Sequence, residues 1–200
     1  MSDSNDKTLQ AYEHHVEEYI EQTPQEISGE LKTWIDTALG MLPDGARILE
    51  LGSAFGRDAV YFQSKGFVVD ATDAAQSFVD YLNKNDIPAR RLNIITDEIS
   101  EQYDMVFANA VLLHLTPAEF DEAMLKMARA LKDQGIIAFS VKKGDGEKWE
   151  DRKLGELRYF KFWQMDELVE AVEKSGLKVI WKSDQFSSRN AEWLHIIAQG

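Results

Sequence analysis

There is no cysteine in the chain, which excludes a disulfide framework, a thiolate metal site and a cysteine nucleophile. No stretch approaches the roughly 18 consecutive apolar residues of a membrane span, and the opening residues, Met1 to Lys7, are polar without an apolar signal core. A soluble, cytoplasmic protein with no membrane partner is expected. Positive charge is scarce as well: 22 lysines and arginines stand against 35 acids, a formal net charge of −13 at pH 7. Phosphate contacts need a basic face, so nucleic acid is disfavoured as a partner, and the acidic surface is read as one that keeps the protein in solution. Internal repeats, low-complexity tracts and domain boundaries are missing too. The expectation is a single domain over residues 1–200, with 1–7 disordered and an apolar content of 44% that suits an ordinary globular core.

The most informative stretch runs from Arg47 to Asp58. Ile48 and Leu49 lead to Glu50 and Leu51, then come Gly52, Ser53, Ala54, Phe55 and Gly56, and a helical pattern begins at once. A strand, a small-residue turn and an immediate helix predict the opening of a nucleotide-binding βαβ unit. Gly52 and Gly56 are expected where a ligand approaches the backbone with no Cβ in the way. A second acid, Asp73, ends the next apolar run about 20 residues on, where a carboxylate takes both hydroxyls of a ribose. Charge then selects the nucleotide. A pyrophosphate on the helix N-terminus usually goes with G-x-G-x-x-G. Here the spacing is G-x-x-x-G, and Glu50 beside the loop repels phosphate but suits a ligand carrying an ammonium and a sulfonium. A nicotinamide-dependent reductase is disfavoured on that ground.

These residues resemble the first motif of the class I S-adenosylmethionine-dependent methyltransferases, (D/E)-x-G-x-G-x-G, from which the chain departs at Ala54. The resemblance covers essentially the whole chain from Tyr12. It implies S-adenosylmethionine as cofactor and S-adenosylhomocysteine as product. Glu50 then holds the methionine ammonium, Gly52, Ser53, Ala54, Gly56 and Arg57 surround the methionine part, and Asp73 with Ala74 meets the ribose. Tyr12, Tyr19 and Thr23 match a family pattern in a segment that folds over the cofactor, making residues 8–42 an N-terminal helical lid and first helix. A core stripe at helical spacing is the equal alternative for those tyrosines. An acid or amide after the third strand contacts the adenine amine in the family. That points to Asp97, unless Asp97 only solvates its loop.

Periodicity predicts helices over Thr8–Glu21, 31–42, Gly56–Lys65, Ala75–Asn83 and Gln164–Ser175. Strands are predicted at 47–51, 67–73, Pro88–Ile95, Tyr103–Ala110, Ile136–Val141, Leu177–Trp181 and Trp193–Ala198. Thr116-Pro117-Ala118-Glu119 is a capping box opening another helix, with Gly135 to stop it. Residues 142–163 read as a long charged loop, and its aromatic residues argue against disorder. The last two strands, joined by a polar loop over 183–190 without a helix, are antiparallel neighbours. The fold class is α/β: a Rossmann-like doubly wound seven-stranded sheet, mostly parallel with an antiparallel last strand, and helices on both faces. Open α/β sheets bind at the C-terminal ends of their strands, which puts Asn109 and Ala110 against the cofactor and His114 nearby.

Leu112 to Leu115, Ser140 to Glu147, Arg158 to Phe160 and Trp193 to His195 also resemble a bacterial subgroup of small, tellurite-resistance-like methyltransferases. The implied reaction is in-line methyl transfer to a small-molecule acceptor, with the protein supplying position and electrostatics. His114 is the candidate base, because an imidazole titrates near neutrality; a structurally satisfied histidine is the competing reading. Lys142, Arg158 and Arg189 come from loops expected to rim the acceptor pocket and suggest an anionic acceptor. Tyr159 and Trp163 either stack on an aromatic acceptor or close the core. The catalytic candidates are thus His114, Arg158 and Tyr159, with no metal. RNA or protein methylation, and a non-catalytic module that binds S-adenosylmethionine, are the alternatives. The oligomeric state stays open.

Overall fold

In the computed structural model, which describes residues 3–188 and 191–200, the chain opens with helices α1 (Asp3–His14), α2 (Val16–Glu21) and α3 (Gly29–Leu39). Next come β1 (Arg47–Leu51), α4 (Arg57–Ser64), β2 (Val68–Asp73), α5 (Gln76–Lys84), β3 (Ala89–Arg91) and β4 (Tyr103–Asn109). A short 3-10 turn at Leu112–His114 leads into α6 (Pro117–Arg129) and β5 (Leu131–Lys142). A hairpin of β6 (Glu147–Glu150) and β7 (Arg158–Lys161), then α7 (Met165–Lys174), β8 (Lys178–Ser188) and β9 (Ala191–Gln199), complete the chain.

Seven of these strands form one sheet in the order β3-β2-β1-β4-β5-β9-β8. Every pairing up to β5 is parallel, and β9 runs antiparallel between β5 and β8. Near-continuous apolar strands require cover on both faces, and β4 divides its residues accordingly. Met105 and Phe107 join Trp34, Ile35 and Phe62 from α3 and α4. Val106 and Ala108 join Phe120, Met124 and Leu168 from α6 and α7. Helices on both faces of a mostly parallel sheet bear out the expected fold class. The strand order reverses between β1 and β4, and an α/β sheet opens its ligand crevice at that reversal.

Several expectations need correction. Of residues 1–7, expected to be disordered, 1 and 2 lie outside the described residues and 3–7 belong to α1, with Asn5 and Thr8 buried against the domain. The single helix expected over 8–21 breaks at His15, where φ is −128° and ψ 43°. That break lets His14 and His15 both reach Glu156, at 3.1 and 3.3 Å, which adjacent residues of one continuous helix do not do. The third strand stops at Arg91, not Ile95. Helix α6 ends at Arg129, ahead of Gly135, which lies inside β5. The expected loop over 142–163 contains the β6–β7 hairpin; Glu147, Lys148 and Trp149 of β6 are exposed while all of β7 is buried, so no alternating pattern shows. Most of the polar segment 183–190 extends β8, with a register shift between Ser183 and Phe186 hiding the strand period. The capping box is as read: Glu119 N–H donates to Thr116 Oγ1 at 3.4 Å and Thr116 N–H to Glu119 Oε2 at 2.8 Å.

Candidate functional site

The loop after β1 is shaped by hydrogen bonds to β2. Ser53 N–H donates to the Thr72 carbonyl at 2.8 Å, and Gly56 N–H to Ser53 O at 2.8 Å. Gly52, Ala54 and Gly56 all have positive φ: 68°, 48° and 85°. A Cβ on Gly52 would lie 2.5 Å from Val111 Cγ2, and one on Gly56 2.6 Å from Ile87 Cδ1. Tight packing of the loop on its own protein neighbours therefore demands both glycines, which corrects the expectation that ligand approach alone does so. Ala54 holds a left-handed conformation despite its Cβ, a strain of about 1–2 kcal/mol.

Asp73, at the end of β2, joins two loops. One carboxylate oxygen accepts from Ala54 N–H and the other from Ala75 N–H, each at 2.9 Å. Burial outweighs these bonds and pushes its carboxyl up to about 6. Glu50 is buried beneath the loop, where Ser53 Oγ donates to it at 2.6 Å. Burial, reinforced by nearby Asp58, lifts it to about 8. Arg57 donates to Asp58 at 2.7 and 3.2 Å and to the Pro24 carbonyl at 3.1 Å, so it ties the loop to the segment behind α2. Asp58 also accepts from Asn109 Nδ2 at 2.9 Å; Ser140 Oγ donates to Asn109 Oδ1 at 2.7 Å and accepts from Ala110 N–H at 2.9 Å. This chain of bonds holds Ala110 in its own left-handed conformation, φ 59°.

A pocket opens above these strand ends under α1 and α2. Of the residues expected to face a ligand, Tyr12, Tyr19, Gly52, Ala54, Asp73, Ala74, Asn109, Ala110 and His114 line it. Glu50, Ser53, Gly56 and Arg57 lie outside that lining. The Tyr12 and Tyr19 rings meet at 5.6 Å, and Tyr19 packs on Phe78 at 5.4 Å. Asp97 is not in the pocket wall; it accepts from Asn93 N–H at 2.9 Å and closes the turn after β3. Because β3 ends early, Asn93 takes the pocket position instead, with its Nδ2 buried and without a partner. Sequence reasoning passed over Asn93, although it is the first amide after the strand.

His114 does not present a free nitrogen. Nε2 pairs with the Tyr12 hydroxyl at 2.8 Å and Nδ1 with the Tyr159 carbonyl at 2.7 Å. Burial drives its pKa down to about 3. The ring therefore stays neutral at working pH, and the satisfied-histidine reading describes it better than that of a titrating base. The folded value lies below the unfolded one, so the stability it contributes is complete above about pH 6.5 and fades as pH falls towards 3. NMR of the His114 ring should show no titration between about pH 8 and 5; a midpoint in that interval would restore it as a base. Tyr159 and Arg158 are buried in β7 behind Tyr12, outside the pocket lining. Arg158 Nη1 donates to the Tyr12 hydroxyl at 3.2 Å, and Tyr159 N–H to Thr8 Oγ1 at 3.0 Å. Arg189 lies outside the described residues. Among the described residues no cluster of His and acidic side chains is arranged to hold a metal, and no helix is long and apolar enough to cross a membrane.

Against known proteins, residues 12–182 match the methyltransferase domain family. The chain belongs to that family, and its fold is that of the class I S-adenosylmethionine-dependent methyltransferases. A ubiquinone biosynthesis O-methyltransferase from Rickettsia bellii is 32% identical over 100 residues, 47% of this chain and 41% of that protein. The chain thus spans about two fifths of the length of the curated relatives it matches. The structure of a Burkholderia thailandensis 1,6-didemethyltoxoflavin-N1-methyltransferase, with 1,6-didemethyltoxoflavin and S-adenosylhomocysteine bound, superposes with a TM-score of 0.75 at 15% identity, covering 100% of this chain and 91% of that one. A TehB-like S-adenosylmethionine-dependent methyltransferase from Corynebacterium glutamicum gives 0.63 at 22% identity, covering 82% and 85%.

Proposed function

We propose that this chain transfers a methyl group from S-adenosylmethionine to a small-molecule acceptor, and that the acceptor carries an anionic group. The observation that carries the reading is the pocket wall: Asp73 at a strand end, the loop backbone at Gly52 and Ala54 beside it, and the unpartnered Nδ2 of Asn93. The bound cofactor supplies an electrophilic methyl on a sulfonium. Asp73 accepts the ribose hydroxyls, and Asn93 offers its free N–H donors to the adenine. Tyr12 and Tyr19 cover the pocket from above and exclude water. Glu50 acts from beneath the loop, favouring an ammonium directly or through Ser53. With both nitrogens of His114 engaged, the acceptor receives no base from that residue, so its reacting atom must already be unprotonated or lose its proton to solvent.

Calorimetric titration with S-adenosylhomocysteine, S-adenosylmethionine and NADH in parallel tests the reading. The first two should bind in the micromolar range and NADH should not. Glu50 adds a second signature. An approaching ammonium favours its charged form, so binding near pH 7 should release a proton, because the free carboxyl titrates at about 8. The measured enthalpy should depend on the ionisation heat of the buffer, and affinity should rise with pH between about 6 and 8. Buffer-independent enthalpy would remove Glu50 from ammonium binding. NADH binding alone would overturn the reading as a whole.

A further inference from the structure

Arg158 is 5% exposed, and among the described residues it has no carboxylate partner. Its Nη1 is used on the Tyr12 hydroxyl, while Nε is buried and makes no hydrogen bond. The guanidinium carbon lies 5.2 Å from the Phe160 ring centroid, and Lys142 Nζ sits 3.9 Å from the same centroid. Lys142 feels Arg158, Lys148 and Arg152 as repelling neighbours. The acid that answers this group is Glu150, 3.8 Å from Lys142 and 2.7 Å from Lys148. Two largely buried cations on one aromatic ring thus share a single, divided counter-charge in a chain of net charge −13.

Arg158 faces Glu150 across the hairpin, and its guanidinium lies over the Tyr12 ring as well as that of Phe160. These contacts leave Nε unsatisfied, and a buried donor without an acceptor costs stability, so the fold does not use the whole guanidinium. With Nη1 occupied, the free edge of the guanidinium is Nε with Nη2, the coplanar donor pair that matches the two oxygens of a carboxylate. Tyr12 and His114, which touch Arg158 and the Tyr159 carbonyl, are themselves walls of the pocket. Arg158 is therefore one side chain, that of Tyr12, removed from the pocket. We infer that Arg158, backed by Lys142, forms a subsite for a carboxylate on the methyl acceptor, so that the acceptor class is small carboxylic acids. The inference rests on the methyltransferase reading above.

The test is titration of wild type, Arg158→Lys and Arg158→Met with benzoate, 4-hydroxybenzoate and inorganic phosphate, each with and without saturating S-adenosylhomocysteine. At least one carboxylate should bind wild type saturably and more tightly than phosphate. Arg158→Lys keeps a charge but loses the paired edge and should weaken that binding about tenfold or more. Arg158→Met should abolish it while its melting temperature stays level or rises, an outcome a merely structural arginine would not give. S-adenosylhomocysteine affinity should change little in Arg158→Lys, which keeps a donor for Tyr12. Equal carboxylate affinity in wild type and either variant, no carboxylate binding by wild type, or preference for phosphate would each overturn the subsite. Loss of S-adenosylhomocysteine binding by wild type, with Arg158-dependent carboxylate binding retained, would instead overturn the methyltransferase reading and leave the subsite standing.

Discussion

Gly52→Ala should destabilise the protein strongly although it adds a single methyl group. The new Cβ would lie 2.5 Å from Val111 Cγ2, and the backbone there has φ +68°. Overpacking and a left-handed non-glycine residue together should lower unfolding stability by about 2–4 kcal/mol in denaturant titration. S-adenosylhomocysteine binding should fall with it, because Val111 lines the pocket and must move. The double variant Gly52→Ala/Val111→Ala separates the two causes. Relief of the clash should recover part of the stability, so the two changes combine non-additively. If the single variant is as stable as wild type, the packing account of this glycine is wrong.

Asp73→Ala should weaken S-adenosylhomocysteine binding at least tenfold, about 1.4 kcal/mol, in a variant that still folds by circular dichroism. The structure adds a reason beyond ribose contact: the same carboxylate holds the Ala54 and Ala75 N–H groups, so its loss frees the loop after β1 as well. Asp73→Asn distinguishes these roles. It keeps an acceptor oxygen but cannot charge. The folded carboxyl of Asp73 titrates at about 6, above the ordinary 3.8. A group raised in this way contributes stability that is present below its unfolded value and lost as pH rises through the folded one. Asp73→Asn should therefore flatten the stability profile of the free protein between about pH 4 and 6. Unchanged ligand affinity in folded Asp73→Ala would falsify the ribose assignment.

Asp73 and Gly52 were legible for a shared reason: both stand within one βαβ unit, where local order and spacing decide geometry. Asp97 shows the limit. With the strand expected to run to Ile95 instead of Arg91, the expected contact fell on Asp97, which closes a turn, while Asn93 is the residue that lines the pocket. Arg158 and Lys142 show a second limit. Their proximity depends on the β6–β7 hairpin folding back to the end of β5, where Glu150 meets Lys142 and Trp163 N–H donates to the Lys142 carbonyl, and neither strand of the hairpin alternates in burial in a way that foretells it.

The α/β class, the loop between Glu50 and Arg57, the acid at Asp73, the capping box at Thr116 and the absence of any thiol were all readable along the chain. These follow from period, spacing and composition, which act over a few residues at a time. The closed fold is what makes His114 a neutral hydrogen-bonded ring, pushes Glu50 and Asp73 towards protonation, and buries Arg158 with no carboxylate within ion-pair distance among the described residues. Those properties come from desolvation and from partners distant in sequence, Tyr12 with His114 and Thr8 with Tyr159. Burial and pairing at such separations exist only once the chain has closed on itself.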